Sequence, residues 1–400
     1  MKKIIKNYRK YSKITFKNFN LLINFFLIII LNINSNYEVL YYKQIKKEIK
    51  KLNNYYKICN DGILLNRKQF KKINNPKVSI IIAVYNSEKT ILRLLRSIQN
   101  QFFDEIEIIF IDDCSKDKTV KLIQNFQKED QRIILIKNHI NEGTLISRNK
   151  GVFKSSGEYL IIPDSDDLLE KDIINICYKI ATKYNYEMVR YNAYEEQQNF
   201  INIIKKLESR PIYQPELSTY IFYGLGDLHL HEFTMWNKLI KREAFIRALN
   251  DIDSYYLNQH MLIYEDGLIN YALYRNIKSF YLIKKIGYYY IFNGKTSIQY
   301  KQNILKNLPK YIFLYIKFIL DNSKNTKYEK DMAVYLFHIY SSHIDLIYLI
   351  NENFDLYNYV IDSFFNYKYI SLEDKKKLKH LKNIIHQKEK NITQKILDKS

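Results

Sequence analysis

The sequence predicts an α/β protein with a mostly parallel, doubly wound sheet that carries helices on both faces, followed by a helical C-terminal region. Between residues 76 and 163, continuous apolar runs alternate with segments in which apolar residues recur at helical spacing. Strands that alternate with helices are typical of right-handed βαβ units and therefore of a parallel sheet. After residue 300 the alternation ends, and aromatic-rich segments with helical patterning follow.

The elements of the predicted sheet can be assigned in chain order. The first strand, VSIIIAVY (78–85), is a β-branched run suited to a strand that is buried on both faces. The next segment, SEKTILRLLRSIQNQ (87–101), is predicted to be a helix with Ser87 as its N-cap. The later strands are predicted at 106–111, 132–137 and 158–163, and the later helices at 115–126 and 144–155.

The charge distribution argues against a nucleic-acid-binding domain. The net charge is +21, but residues 1–72 carry +14 of it and residues 371–400 carry +5, so only +2 remains for the residues between. A nucleic-acid enzyme usually places its basic groove in the folded domain. We predict three regions and no nucleic-acid partner. The regions are a basic N-terminal segment (1–75), an α/β domain (76–300) and a helical extension (301–400).

An apolar run near the N-terminus predicts membrane association. LLINFFLIIILNI (21–33) follows seven Lys and Arg residues in the first twenty, which is the layout of a signal anchor. The run is shorter than the roughly 20 residues of a full membrane span, and Asn24 interrupts it. An amphipathic or locally buried helix is therefore the alternative.

Polar side chains follow three of the predicted strands. They are Tyr85 after the first strand, Asp112 and Asp113 after the second, and Asp164, Asp166 and Asp167 after the fourth. Ligands of doubly wound sheets bind at the carboxyl ends of the strands, so these side chains are expected to converge on one edge.

The Asp-x-Asp of Asp164 and Asp166 has two interpretations. Carboxylates at a strand end can hold Mg²⁺ or Mn²⁺ together with water and substrate phosphates. Alternatively, the aspartates stabilise the N-terminus of the following helix. A calcium-binding EF-hand is excluded, because Leu169 stands where the loop needs Gly and Asn175 where it needs Glu.

Several motifs occur in a fixed order along the chain. They are VSIIIAVYN (78–86), IDDCSKDKT (111–119), NEGTLISRNKGVFKSSGEYLIIPDSDD (141–167) and YEDGLINYAL (264–273). Together they resemble the family 2 glycosyltransferases, whose catalytic domain has the Rossmann-like GT-A fold, and the resemblance covers about residues 76–300. WNKLIKREAF (236–245) and GYYYIFNGKTSI (287–298) resemble bacterial members that decorate surface polysaccharides, teichoic acids and glycoproteins.

The resemblance implies a set of residues that bind the nucleotide-sugar donor. Tyr85 and Asp113 are expected to lie against a uracil-like ring, with Asp112 beside them. Arg148 matches an arginine of the family's Ala-Arg-Asn segment, although Ser147 replaces the alanine, and is expected to face the nucleotide. Asp164 would reach the ribose or a metal-bound water.

The resemblance also implies a metal site and a catalytic base. Asp166 would bind Mn²⁺ or Mg²⁺, and Asp167 would support the site without touching the ion. Asp266 matches the family's catalytic base, and Glu265 beside it would support the site or contact the acceptor. Some members have a metal-binding histidine in the segment that corresponds to 291–298, but this chain has none there, so the metal would rely on Asp166, phosphates and water.

Trp236, His229 and His231 have open assignments. Trp236 is either an aromatic platform for an acceptor sugar or a core residue at the start of an apolar helix. His229 and His231 lie beside Glu232 at strand spacing, but no third ligand follows at a suitable distance. They are therefore assigned to structural or acceptor-binding roles.

The resemblance implies an inverting, metal-dependent transfer of a sugar from a nucleotide-diphospho-sugar, most simply a UDP-sugar, to a hydroxyl of a glycan, lipid or protein. Two alternatives belong to other classes of protein. An inactive, glycosyltransferase-like binding or scaffold protein would keep the fold without turnover. A nucleotidyltransferase would need a Gly-rich phosphate loop after the first strand, and AVYNSEKT (83–90) contains no glycine.

Overall fold

The computed structural model describes residues 53–65, 70–195, 211–213, 234–261, 263–291, 298–323, 354–366 and 372–397, together with residues 47, 50 and 51. The predicted anchor at 21–33, the histidines 229 and 231, and most of 291–298 lie outside these residues. The chain divides into two compact units, Met1–Tyr55 and Tyr56–Ser400. Every strand of the sheet belongs to the second unit.

A nine-stranded sheet forms the centre of the second unit. Its strands are β1 (Val78–Val84), β2 (Ile106–Asp112), β3 (Ile133–Lys137), β4 (Tyr159–Ile161), β5 (Leu168–Leu169), β6 (Met188–Glu195), β7 (Pro211–Tyr213), β8 (Lys238–Lys241) and β9 (Ser279–Tyr290). They are ordered β3-β2-β1-β4-β8-β6-β9-β5, and β7 pairs with β9. The prediction of an α/β protein is confirmed.

The first half of the sheet is parallel, as the sequence predicts. β1 lies between β2 and β4 and is parallel to both, and β2 is parallel to β3. β1 and β2 are almost entirely buried, which explains why both are continuous apolar runs without polar alternation. The second half is mixed, because β8 runs antiparallel to both β4 and β6. The patterning did not predict β6 or β8.

Helices cover both faces of this sheet. The described helices after β1 are α1 (Ile91–Gln99), α2 (Thr119–Glu129), α3 (Thr144–Lys154), α4 (Ile173–Tyr184), α5 (Arg242–Asn250), α6 (Ser254–Leu257), α7 (Glu265–Asn276), α8 (Ile298–Ser323), α9 (Phe354–Asn366) and α10 (Leu372–Leu397). Alternate residues of β1 belong to different cores: Ile80 and Ile82 pack with α1 and α4, whereas Ile81 packs with α3, α5 and α7. The doubly wound prediction is thereby confirmed.

Two predicted helix starts are wrong. α1 begins at Ile91, and the main-chain oxygen of Ser87 accepts the backbone N–H of Thr90 and Ile91, so Ser87 forms a turn before the helix and is not its N-cap. α2 begins at Thr119, whereas we predict a start at residue 115. Asp117 holds the intervening loop, because its carboxylate accepts hydrogen bonds from the backbone N–H groups of Glu88 and Thr119.

The C-terminal helices are confirmed where the structure describes them. α8 starts at Ile298, so the predicted boundary at residue 300 falls in its first turn. Its segment Tyr311–Leu320 is mostly buried and shares one core with α5, α7, α9 and α10. None of the described helices combines the length and apolar character needed to cross a membrane.

Candidate active site

The predicted polar strand ends meet at one edge of the sheet. Val84 pairs with Asp112 at the ends of β1 and β2, and β4 lies on the other side of β1 and ends shortly before Asp164. Tyr85 follows β1 and is 49% exposed, so its ring is available to an incoming ligand. The parallel arrangement therefore assembles a surface at the place where such sheets bind ligands.

The two aspartates at the end of β2 organise the neighbouring loops. Asp113 is buried, and its carboxylate accepts hydrogen bonds from Asn138 Nδ2 (2.9 Å) and from the backbone N–H groups of Glu142 and Gly143 (both 2.8 Å). The carboxylate of Asp112, also buried, accepts the backbone N–H of Ser115. Asp113 thus fixes the loop between β3 and α3, and its contact with the nucleotide base stays a prediction.

The third aspartate after β4 is a structural residue. Asp167 is completely buried, and it accepts hydrogen bonds from the hydroxyl of Tyr288 and the backbone N–H of Ile291, both at 2.8 Å. The same Tyr288 hydroxyl accepts the backbone N–H of Asp164 at 3.0 Å. Asp167 and β9 therefore shape the turn that carries Asp164 and Asp166, and a supporting role of Asp167 in a metal site stays a prediction.

Arg93 of α1 holds the same turn from the other side. Its guanidinium donates to the main-chain oxygen of Asp166, through Nε at 3.0 Å and also through NH2. The Asp166 side chain itself is partly exposed. Sequence reasoning missed Arg93, because it lies next to the apolar stripe of a predicted helix and no local pattern reveals a partner 73 residues away.

Arg148 connects two acidic segments that are far apart in the sequence. Its NH2 group donates to Asp164 Oδ1 at 2.5 Å, and its NH1 group donates to Asp266 Oδ1. α3 can bring Arg148 to this point because it packs closely on the sheet at Gly151, where a Cβ would lie 2.4 Å from Ile81. The structure thus brings together three of the predicted site residues.

The predicted acidic pair begins α7. Glu265 and Asp266 occupy the first helical turn, where negative charge interacts favourably with the helix dipole. The second carboxylate oxygen of Asp266 accepts the backbone N–H of Met235 at 3.2 Å. The side-chain amide of Asn270, one turn further along α7, donates to the main-chain oxygen of Asp266 at 2.8 Å. Asp266 is therefore held in one orientation beside Arg148.

The crowding of acidic groups changes their proton affinities. Burial raises the pKa of Glu265 to about 8, and the charge of Asp266 adds to this effect while Arg148 opposes it. Burial likewise raises the pKa of Asp164 to about 6, against the lowering effect of Arg148. Burial alone would lower the pKa of Arg148, but the charges of Asp266, Asp164 and Glu265 outweigh it, so this pKa is raised.

The carboxylate oxygens of this site are ligands of the kind that suit a divalent cation. In the part of the chain that the structure describes, Asp164 and Asp266 accept hydrogen bonds from the guanidinium of Arg148, and Arg93 donates to the main-chain oxygen of Asp166. The charges of Asp166 and Asp164 contribute, after burial, to a pKa of Asp167 well above its usual value. An additional positive charge would relieve this repulsion, and oxygen ligands are those that Mg²⁺ and Mn²⁺ prefer. Among the described residues, no three His, Cys, Asp or Glu side chains form a ready-made metal cluster.

Trp236 is a core residue. It is 4% exposed, and its ring stacks on that of Tyr288 with the centroids 4.4 Å apart. The residue precedes strand β8, so the prediction of a helix start is wrong, while the core-packing alternative agrees with its burial. The stack supports Tyr288 and, through its hydroxyl, the buried Asp167.

Known proteins share this fold. The architecture is similar to that of the solved structure of S. aureus TarS 1–349 in complex with UDP, with a TM-score of 0.53 and 18% identity over 79% of this chain and 88% of that one. The likeness establishes a common GT-A fold. In addition, residues 79–249 match the family model described as glycosyl transferase family 2. Residues 79–249 are therefore a family 2 glycosyltransferase domain.

Curated relatives agree with this assignment. The chain is 29% identical over 230 residues to the glycosyltransferase GlyA of Streptococcus pneumoniae, which covers 55% of this chain and 31% of that protein. It is 27% identical over 267 residues to the putative glycosyltransferase EpsH of Bacillus subtilis, which covers 66% of this chain and 75% of that protein. This chain thus spans about a third of the first relative and three quarters of the second.

Proposed function

We propose that the protein is an inverting glycosyltransferase that moves a sugar from a UDP-linked donor to a hydroxyl of a glycan, lipid or protein. The observation that carries the proposal is the convergence of Asp164 and Asp266 on Arg148 at the carboxyl edge of the sheet. Asp164 follows β4, where the nucleotide-sugar donor is expected to bind, and Asp266, the candidate base, begins α7. Arg148 therefore links the donor site to the base. The UDP complex of the TarS structure supports a uridine nucleotide as the ligand.

The residues fit a donor that lies across the strand ends. Tyr85 offers an exposed ring to the nucleotide base, and Asp112 and Asp113 stand beside it at the end of β2. Asp164 and Asp166 follow at the end of β4, where the diphosphate would lie. A bound Mg²⁺ or Mn²⁺, with Asp166 as its protein ligand, would neutralise charge that develops on the departing diphosphate.

Asp266 is the candidate base for the acceptor hydroxyl. Arg148 and the backbone N–H of Met235 fix its carboxylate, so the orientation of the base costs no reorganisation when the acceptor arrives. A positioned general base contributes about 10²–10⁴-fold to a rate. Glu265 is the next candidate, although its pKa of about 8 leaves it mostly protonated at neutral pH.

A donor screen tests the proposal. The full-length protein is incubated with a panel of UDP-sugars and Mn²⁺ or Mg²⁺, and UDP release is measured with and without EDTA. We expect turnover with at least one donor, loss of turnover in EDTA, and loss in Asp166→Ala. Tight UDP binding without turnover of any donor would favour the inactive scaffold, and undiminished activity in EDTA would refute the metal requirement.

Asp266→Asn tests the base separately. The amide keeps the shape of the side chain, so UDP affinity is expected to stay near wild type while turnover falls by about 10²–10⁴-fold. Turnover within about threefold of wild type would assign Asp266 to helix stabilisation, because a general base contributes far more. Glu265→Gln would then be assayed in the same way.

We also propose that the protein associates with membranes through residues 21–33. The apolar run after seven basic residues supports this proposal. The full-length protein is expected to sediment with membranes, and a version that begins at Pro76 is expected to stay in the supernatant. Full-length protein that remains soluble without detergent would contradict it.

A further inference from the structure

The residue before the acidic pair has an unusual backbone conformation. Tyr264 has φ 68° and ψ −1°, in the left-handed region that residues with a Cβ rarely adopt. α7 starts directly after it, and the main-chain oxygen of Tyr264 accepts the backbone N–H of Leu268 at 3.2 Å. The direction in which Glu265 and Asp266 leave the chain therefore depends on this conformation. Such a conformation persists only when the surroundings impose it.

A ring contact with the C-terminal region helps to impose it. The ring of Tyr264 stacks on that of Tyr315 in α8, with centroids 5.3 Å apart and planes at 24°. Tyr315 is 1% exposed and belongs to the core that α8 shares with α7. A stacked pair in this geometry is favourable beyond the area that it buries. Rotating Tyr264 to an ordinary conformation would move its ring away from a fixed partner.

A second residue of α8 lies near the start of α7. Tyr311 is one helical turn before Tyr315 and is 4% exposed. Burial raises the pKa of Tyr311, and the charge of Glu265 adds to this effect, so the phenol lies within electrostatic range of Glu265. Two residues of the C-terminal helix thus approach the start of α7.

We propose that Tyr315 is a positioning residue of the active site, whose ring holds Tyr264 in the left-handed conformation and thereby aims Glu265 and Asp266 at Arg148. The helix α8 then belongs to the catalytic unit, although it lies outside the residues that match the family model. The proposal rests on the proposed function, in which Asp266 is the base. It predicts an effect on the chemical step and not on donor binding.

The chain offers a matched control one turn along α8. Phe318 is also 1% exposed, and its ring meets those of Tyr256 and Tyr271 edge to face at 5.0 and 5.6 Å. Tyr271 lies in the middle of α7, away from the acidic pair. Phe318→Leu therefore removes a comparable ring from the same core without changing the partner of Tyr264.

Kinetics of the full-length variants test the proposal. Turnover is measured as UDP release from the UDP-sugar that the wild type uses, and UDP affinity is measured by calorimetry. Tyr315→Leu is expected to lower kcat by about tenfold or more with KM and UDP affinity little changed, because small misplacements of a reacting group are costly. Tyr315→Phe keeps the ring, so its kcat should stay near that of the wild type. Phe318→Leu should also keep kcat near the wild-type value.

A double variant isolates the route of the effect. If Tyr315 acts through Asp266, Tyr315→Leu should cause no further loss in an Asp266→Asn background, since the two changes then remove one shared contribution. Equal losses in Tyr315→Leu and Phe318→Leu, or a loss in Tyr315→Phe as large as in Tyr315→Leu, would overturn the proposal.

Amide hydrogen exchange decides the question even if the chain turns over no donor, in which case the proposed function fails separately. The peptide that contains the Leu268 amide should exchange faster in Tyr315→Leu than in Phe318→Leu, after correction for any change in global stability. Equal exchange in the two variants would show that Tyr315 does not fix the start of α7.

Discussion

Removing the guanidinium of Arg148 should show how much the stability of the site depends on this one positive side chain. In Arg148→Met the side chain keeps similar length and apolar bulk but donates to neither Asp164 nor Asp266. Asp164 and Asp266 are paired with Arg148 in the wild type. In the variant these two carboxylates and Glu265 would repel one another, with no guanidinium to offset their charge. The unfolding free energy should fall for electrostatic reasons and not because a cavity forms.

The size of the loss follows from the burial of the three side chains. Arg148 is 10% exposed, while Asp164 and Asp266 keep 30% and 24% of their exposure. Breaking a buried ion pair by removing one partner costs about 3–5 kcal/mol, and the partial exposure of both carboxylates places the expected loss near the lower end, at about 3 kcal/mol at pH 8.

The loss should shrink as the pH falls. Burial and neighbouring charges raise the folded-state pKa of Asp164 to about 6 and of Glu265 to about 8, so the folded state binds more protons than the unfolded state over this range. Stability is then lost as the pH rises through these values. Without Arg148 both pKa values rise further, which makes the variant more sensitive to pH than the wild type.

Urea unfolding at pH 8 and pH 5, in EDTA and with Lys382→Met as a control, checks this reasoning. The Lys382–Asp362 pair is 46% and 49% exposed, so its loss should cost less than about 1 kcal/mol at either pH. An Arg148→Met loss below about 1 kcal/mol at pH 8, or one that does not decrease toward pH 5, would refute the account of the site as a set of buried charges held by one arginine.

Two further predictions concern stability. Glu265→Gln should become increasingly more stable than the wild type from pH 5 to pH 9, because the raised pKa of about 8 means that the wild type loses stability as Glu265 ionises; parallel curves in urea unfolding would contradict this. Tyr288→Phe should lower the unfolding free energy by about 1–3 kcal/mol, because the buried Asp167 loses a donor. Tyr178→Phe is its control, since that hydroxyl makes a long, exposed hydrogen bond to Glu158, and equal losses in the two variants would exclude the role assigned to Tyr288.

Most of the parallel half of the sheet could be predicted from local sequence. β1, β2 and β3 lie within one residue of their predicted bounds at each end, because a strand buried on both faces leaves a continuous apolar run. β4 is shorter than predicted. The helices α1 and α2 start later than predicted, because the loop side chain of Asp117 accepts a backbone N–H group before α1 and another at the first residue of α2. β8 escaped prediction because its four residues carry no distinguishing period.

The sequence by itself determined the fold class and the short list of chemically important residues, since alternating elements and polar strand ends are local patterns. The tertiary structure alone decided which of them act together. Arg148 meets Asp266 across 118 residues, Arg93 meets Asp166 across 73, and the ring of Tyr315 reaches Tyr264 from the C-terminal helices. Hydrogen bonds, ion pairs and ring contacts depend on distances of a few ångströms between side chains, and only the packing of sheet and helices sets those distances.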